Sequence, residues 1–168
     1  MALESNTPPG GSHEHPATLI VANAQLSWLD TGLPYSLDFD DTYHSSDGAQ
    51  AESRYLFLDG NRITQRWHEA HACAKRIVDC FTVAELGFGC GLNFLETLQR
   101  WTQAHSKPHR LHYVAFEKHP LTHADLTRAL EQWPDLAAYS AQLLRQYPEH
   151  SAGCHRLYFG NDVTLDLH

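Results

Sequence analysis

The run 82-TVAELGFGCGLNF-94 ends an apolar stretch at Glu85 and then sheds its side chains at every second position, Gly87, Gly89 and Gly91. Backbone without Cβ atoms lets a ligand approach the peptide N–H groups closely. A helix starting near Asn93 adds its electropositive end to the same place. The pattern is that of a cradle for a small ligand. It is not the dinucleotide fingerprint GxGxxG, because Leu92 stands where the third glycine belongs. It is not the phosphate loop either, which needs GK[ST].

GxGxG instead suits a compact ligand such as S-adenosylmethionine, with its amino acid part near the loop, Glu85 near a cationic group and Asn93 at the helix start. A second anchor follows. Glu117 ends the next strand-like run, 113-YVAFEKHPL-121, 30 residues after Gly87. A carboxylate there can accept both hydroxyls of a ribose, as acidic residues do in nucleotide sites on open α/β sheets. A glycine turn alone, or an exposed acid alone, is commonplace. The two in strand–loop–helix–strand order point to a nucleotide-type site.

The elements that must position these residues are legible by period. AQLSWL and LPYSLDF flank Asp30-Thr31-Gly32 as strands of a hairpin or meander, preceded by the short strand ATLIVA at 17–22. The run 53-SRYLFL-58 reads as a further strand, closed by Asp59-Gly60-Asn61. From Ile63 the period changes: Ile63, Trp67, Ala70, Ala74, Ile77 and Val78 mark an amphipathic helix. Thr82–Leu86 is a short buried strand, Phe94 to Trp101 a helix, and Leu111–Phe116 a second strand. Residues 121–147 form two helical pieces, with Pro134 in the first turn of the second. The end, 155-HRLYFGNDVTLDLH-168, reads as two strands about Gly160-Asn161-Asp162. Helix, strand, glycine loop, helix, strand, helix predicts a parallel, doubly wound α/β sheet.

Composition sets limits. At 168 residues, with 42% apolar and 19% charged, the chain is long enough for one core, not two. Residues 1–17, rich in Ser, Pro, Gly and His, read as a flexible tail ahead of a single domain over 18–168. No apolar run is long enough to span a membrane, and the N-terminus lacks the order of a signal peptide. Cys73, Cys80, Cys90 and Cys154 form no CxxC pair, which predicts reduced thiols, a cytoplasmic setting and no metal. His68, His71 and Cys73 in 68-HEAHAC-73 lack HExxH spacing and read as helix surface. The net charge of −8 argues against broad polyanion binding; Arg62, Arg66, Lys75 and Arg76, and Arg100, Lys107 and Arg110, are the candidates for a local basic patch, but they read first as solvated helix faces. The four tryptophans fall on apolar periods and read as core.

At this point the sequence resembles a known family, the methyltransferase domain of the enzymes that make 5-methylaminomethyl-2-thiouridine at the tRNA wobble position. The stretches that carry the likeness are 39-FDDTYHSSDGAQAESRYLFLDGN-61, 83-VAELGFGCGLNFL-95, 113-YVAFEKHPLTHADL-126 and 153-GCHRLYFGNDVTLDL-167. The resemblance implies a Rossmann-like class I methyltransferase sheet, incomplete here, with an N-terminal β-rich extension. It implies S-adenosylmethionine-dependent N-methylation of the aminomethyl group on a wobble uridine, with tRNA as substrate. An FAD-dependent oxidase half is often fused in the family and would here reside on another chain. Carried over, the cofactor residues are Glu85, Gly87, Phe88, Gly89, Gly91 and Asn93, with Glu117 at the ribose. Tyr43, Ser45, Asp47 and Glu52 match a block that folds over the cofactor. His44 replaces a usual Phe, and Cys90 a usual Thr. No catalytic base is evident, His44 and Glu52 being weak candidates. Family members continue with further strands and an acidic motif beside the methyl, so a non-catalytic remnant or interaction module is an alternative reading. A methyltransferase for a small molecule is another.

Overall fold

The computed structural model describes residues 21–72, 79–148 and 151–168. Early in the chain Asp30-Thr31-Gly32 reverses direction as expected, with Gly32 at φ 82°. The strand β1 (Leu26–Trp28) pairs antiparallel with β2 (Pro34–Ser36), and β2 with β3 (Asp41–Thr42). This small sheet is the β-rich extension. Of the expected strand ATLIVA, residues 17–20 lie outside the described residues, as do all of residues 1–17, and Val21 and Ala22 have no regular structure.

The expected strand at 53–58 is overturned. A short helix α1 (Ala49–Glu52) runs directly into a π-helical segment, Ser53–Asp59. The Gly60 N–H closes it on the Tyr55 carbonyl, five residues back, at 2.9 Å. Aromatic and apolar residues favour strands, but burial here follows another spacing. Ser53 and Leu58 are buried, while Tyr55 and Leu56 between them are exposed. An i→i+5 coil supplies that interval and a strand of period two does not. The segment is also pinned by Arg54, whose Nε and Nη2 donate to Glu96 at 2.6 and 3.0 Å.

The helix α2 (Ile63–Ala72) begins where the period predicts; its expected continuation, 73–78, lies outside the described residues. Then come β4 (Cys80–Leu86), α3 (Leu92–Gln103), β5 (Arg110–Phe116), α4 (His123–Leu130), a 3-10 turn (Pro134–Leu136), α5 (Ala137–Leu144), β6 (His155–Phe159) and β7 (Val163–Leu167). The strand order is β4-β5-β7-β6, parallel except for the β6–β7 hairpin. β4 and β5 pair from Cys80↔Arg110 to Leu86↔Phe116, so both end at one level. That register sets Gly87 beside Glu117.

Strand alternation divides the sheet into two faces. Phe81, Val83, Leu111, Tyr113, Ala115, Leu157, Phe159, Val163 and Leu165 are buried on one of them. Phe94 of α3 packs there edge-on to Tyr113 at 5.1 Å and to Phe159 at 4.8 Å. Trp67 of α2 meets Trp101 at 5.3 Å and Phe81 at 6.2 Å. The other face differs from the doubly wound expectation. Among the described residues no helix packs on it. Thr82 and Ala84 are exposed, Leu86 is 87% and Phe116 44% exposed. One acid there is nevertheless buried: Asp166 is roofed by Arg156, at 2.7 Å to each oxygen, and by His112 at 2.8 Å. These contacts, Arg156 first, hold its carboxyl down at about 2.

Candidate cofactor site

The parallel ends of β4 and β5 are tied together by backbone. Gly87 N–H and Phe88 N–H both donate to the Phe116 carbonyl, at 2.9 and 3.1 Å. The loop then tightens, with Gly91 N–H on the Phe88 carbonyl at 2.8 Å, and Gly91 caps α3 at φ 75°. Each glycine serves differently. A Cβ on Gly87, at φ 83°, would meet nothing within 4 Å, so its backbone is open to a ligand. Gly89 lies under the Tyr43 ring, 3.3 Å from where its Cβ would be. Gly91 is needed for packing, because a Cβ there would sit 2.8 Å from Phe88 Cζ.

Two adjoining depressions flank Gly87, Gly89 and Tyr43. The first, of about 590 Å³, is lined by Glu85, Phe88 and Asn93 and by Ser45, Glu52 and Ser53 opposite. The second, of about 490 Å³, is lined by Phe39, Phe116, Glu117, Lys118 and His119. Either is within the range of small-molecule sites. Glu117 faces the crevice: one oxygen accepts from Gly89 N–H at 2.8 Å, the other from His119 N–H at 2.9 Å. Of the eleven residues expected at the site, nine line these depressions. Gly91 lies behind the loop, and Asp47 is exposed and lines neither.

Glu85 is 6% exposed. Asn93 Nδ2 donates to one of its oxygens at 2.7 Å and the Tyr113 hydroxyl to the other at 2.8 Å. Burial pushes its carboxyl up to about 7; the Asn93 and Tyr113 hydrogen bonds pull the other way, and the Glu117 charge adds to the rise. Tyr43, half-buried and beside Glu117, is pushed up to about 12. Burial does the same to the Cys90 thiol, again to about 12, which makes it a poor nucleophile.

The N-terminal block is held over the loop from α3. Glu96 is fully buried, and it accepts from Gln50 at 2.9 Å as well as from Arg54. Ser45 donates to Glu52 at the rim. His44 packs as an aromatic, edge-on to Trp133 at 5.1 Å. Sequence reasoning missed Ser53, Phe57, Tyr113, Phe39 and His119. Tyr113 was findable: it shares the inward parity of Glu85 on the adjacent strand. Ser53 was hidden by reading its segment as a strand. Among the described residues no group of three or more His, Cys, Asp or Glu can hold a metal, and no helix is long and apolar enough to cross a membrane. Cys73 lies outside them.

No protein-family model matches the chain. Known proteins do. The tRNA 5-methylaminomethyl-2-thiouridine biosynthesis bifunctional protein MnmC of Legionella pneumophila (strain Corby) is 40% identical over 148 residues, 88% of this chain and 22% of that protein. The same protein from Pseudoalteromonas translucida is 43% identical over 160 residues, 89% of this chain and 23% of that one. This chain is homologous to one piece of MnmC. It spans about a fifth of the length of those relatives. Among solved structures, MnmC2 from Aquifex aeolicus superposes with a TM-score of 0.54 at 21% identity, covering 88% of this chain and 42% of that one. That likeness is one of fold.

Proposed function

We propose that the paired depressions hold S-adenosylmethionine and that the domain to which this MnmC-like piece belongs methylates the aminomethyl group of a tRNA wobble uridine. The observation that carries this reading is charge. The first depression is lined by Asp41, Glu52 and Glu85 and by no Lys or Arg. It therefore favours a cationic ligand, and the ammonium and sulfonium of S-adenosylmethionine meet that need. Gly87 offers open backbone midway, and Glu117 stands in the second depression, where a ribose would lie. The name of the MnmC relatives supports the tRNA substrate.

The bound group would supply a methyl on a sulfonium with a good leaving group already in place. The chain's own task is to orient and to exclude water. Glu85, with Asn93, would take the ligand's ammonium end, and Glu117 its ribose. Tyr43, already seated on Gly89, would cover the middle. The attacking amine must be neutral; His44 and Glu52, the candidates for its base, both line the first depression.

Calorimetry with S-adenosylmethionine tests the cofactor reading: saturable binding is expected, lost in Gly89→Asp. Absence of heat in the wild type would refute it. Transfer of labelled methyl to tRNA bearing the unmethylated aminomethyl uridine tests the substrate. A second reading, binding without transfer, is favoured by the uncovered sheet face. It predicts calorimetric binding with no labelled tRNA.

A further inference from the structure

We infer that Tyr113, Asn93 and Ser53 form a positioning relay that presents Glu85 to the ligand's ammonium group, and that ligand capture releases a proton from Glu85. This inference rests on the adenosyl reading above and deepens it.

The geometry is a chain of three hydrogen bonds crossing four elements. Ser53 Oγ, in the π-helical segment, donates to Asn93 Oδ1 at 2.5 Å. An amide has one acceptor and one donor end, so fixing Oδ1 on Ser53 turns Nδ2 toward Glu85, which it meets at 2.7 Å. From β5 the Tyr113 hydroxyl donates to the remaining oxygen at 2.8 Å. Asn93 is fixed further through its carbonyl, which accepts from Thr97 Oγ1 at 2.6 Å. Both Glu85 oxygens are thus held, and the carboxyl keeps lone pairs for one more donor.

No Lys or Arg stands among the residues that line the first depression with Glu85. Cys90 lies in its own loop, Glu117 follows β5, and Asp41, Tyr43, His44 and Glu52 line the first depression from the N-terminal block. His44 Nδ1 is engaged with the Ser45 carbonyl at 3.1 Å. A buried carboxyl without a counter-ion keeps its proton. When an ammonium arrives, the Glu85 O–H bond breaks, the proton passes to the buffer, and the carboxylate accepts an N–H in its place. The burial-raised titration of Glu85, at about 7, agrees with a proton to give. Ser53 and Tyr113 act through Glu85 and are positioning residues.

The experiment compares two ligands on the full chain. S-adenosylhomocysteine carries the ammonium; 5′-methylthioadenosine lacks the whole amino acid part. Calorimetry at about pH 6 in buffers of different ionisation enthalpy counts protons released, as linkage requires. S-adenosylhomocysteine should release close to one proton at that pH, and almost none at about pH 9. 5′-Methylthioadenosine should release none at either. Tyr113→Phe and Ser53→Ala should weaken S-adenosylhomocysteine about tenfold, the scale of one hydrogen bond to a charged group. They should leave 5′-methylthioadenosine within about twofold, which also reports that the variants fold. Tyr113→Phe should move the midpoint of proton release to higher pH, because the charged carboxylate has lost a donor. A purely structural tyrosine would not shift that midpoint. If 5′-methylthioadenosine binds and S-adenosylhomocysteine releases no proton, or if both variants weaken both ligands equally, the relay is overturned and the adenosyl site stands. If neither ligand binds the wild type, both readings fall.

Discussion

The substitution Glu85→Gln should flatten part of the protein's dependence of stability on pH. The Glu85 carboxyl titrates at about 7 in the folded chain against an ordinary 4.5, raised first by burial. Between those values the folded chain holds a proton that the unfolded chain has released. The associated stabilisation is therefore complete below about pH 4.5 and is lost as pH rises through about 7. The full span is worth roughly 3 kcal/mol. The introduced amide would be nearly isosteric, could accept from Asn93 Nδ2 and could donate to the Tyr113 hydroxyl, yet it would not titrate. Urea unfolding, followed by tryptophan fluorescence at a series of pH values from about 5 to about 8.5, gives the two stabilities. Equal denaturant slopes license the comparison. The stability of the wild type relative to the variant should fall by about 2 to 3 kcal/mol across that range. Titrations common to both proteins cancel in the difference. A difference that stays flat within about 0.5 kcal/mol would refute the account of Glu85 as a buried, proton-holding carboxyl.

Alanine at the three loop glycines should destabilise in the order Gly91, Gly89, Gly87, read as thermal midpoints. All three have positive φ, but only at Gly91 does the new Cβ press on a buried ring, at 2.8 Å. At Gly87 the backbone conformation alone should cost about 1 kcal/mol. Phe94→Ala, at a fully buried ring in contact with Tyr113 and Phe159, should cost about 3–5 kcal/mol in denaturant unfolding. Glu117→Ala should release Gly89 and His119 N–H and weaken S-adenosylmethionine and 5′-methylthioadenosine alike, by more than about tenfold in calorimetry. Equal affinities would remove Glu117 from the site. Glu96→Ala should leave the Arg54 guanidinium without its buried partner and loosen the Ser53–Asp59 segment, seen as faster amide exchange there than in β5.

What could be read from the sequence followed from local period and local chemistry. The hairpin about Gly32, the parallel strands ending at Leu86 and Phe116, and the closing hairpin each carry their own signal. So does the pairing of the glycine loop with Glu117, since parallel strands of equal length end together. The segment at Ser53 was not legible. Its strand-like composition is overridden by Arg54 reaching a carboxylate 42 residues away, and such a contact leaves no local trace. Tyr113 could be placed inward by parity, but its hydroxyl landing on Glu85 depends on the register between two strands. The seating of Tyr43 on Gly89 depends likewise on how the small N-terminal sheet docks. Sequence likeness could name Tyr43 and Asp47 equally; only the fold separates the residue at the loop from the one facing solvent.

The bare face of the sheet also bears on the grip. Every residue proposed to hold the ligand hangs from the ends of β4 and β5, from the first turn of α3, or from the block braced on that helix. The outer sides of the same two strands, at Ala84, Leu86 and Phe116, face water. Whatever body comes to rest on that side, in cis or in trans, would stiffen the two strands from behind and by mass action favour the ligand-ready arrangement in front. A partner that prefers the ligand-ready arrangement would raise the ligand affinity measured on this chain.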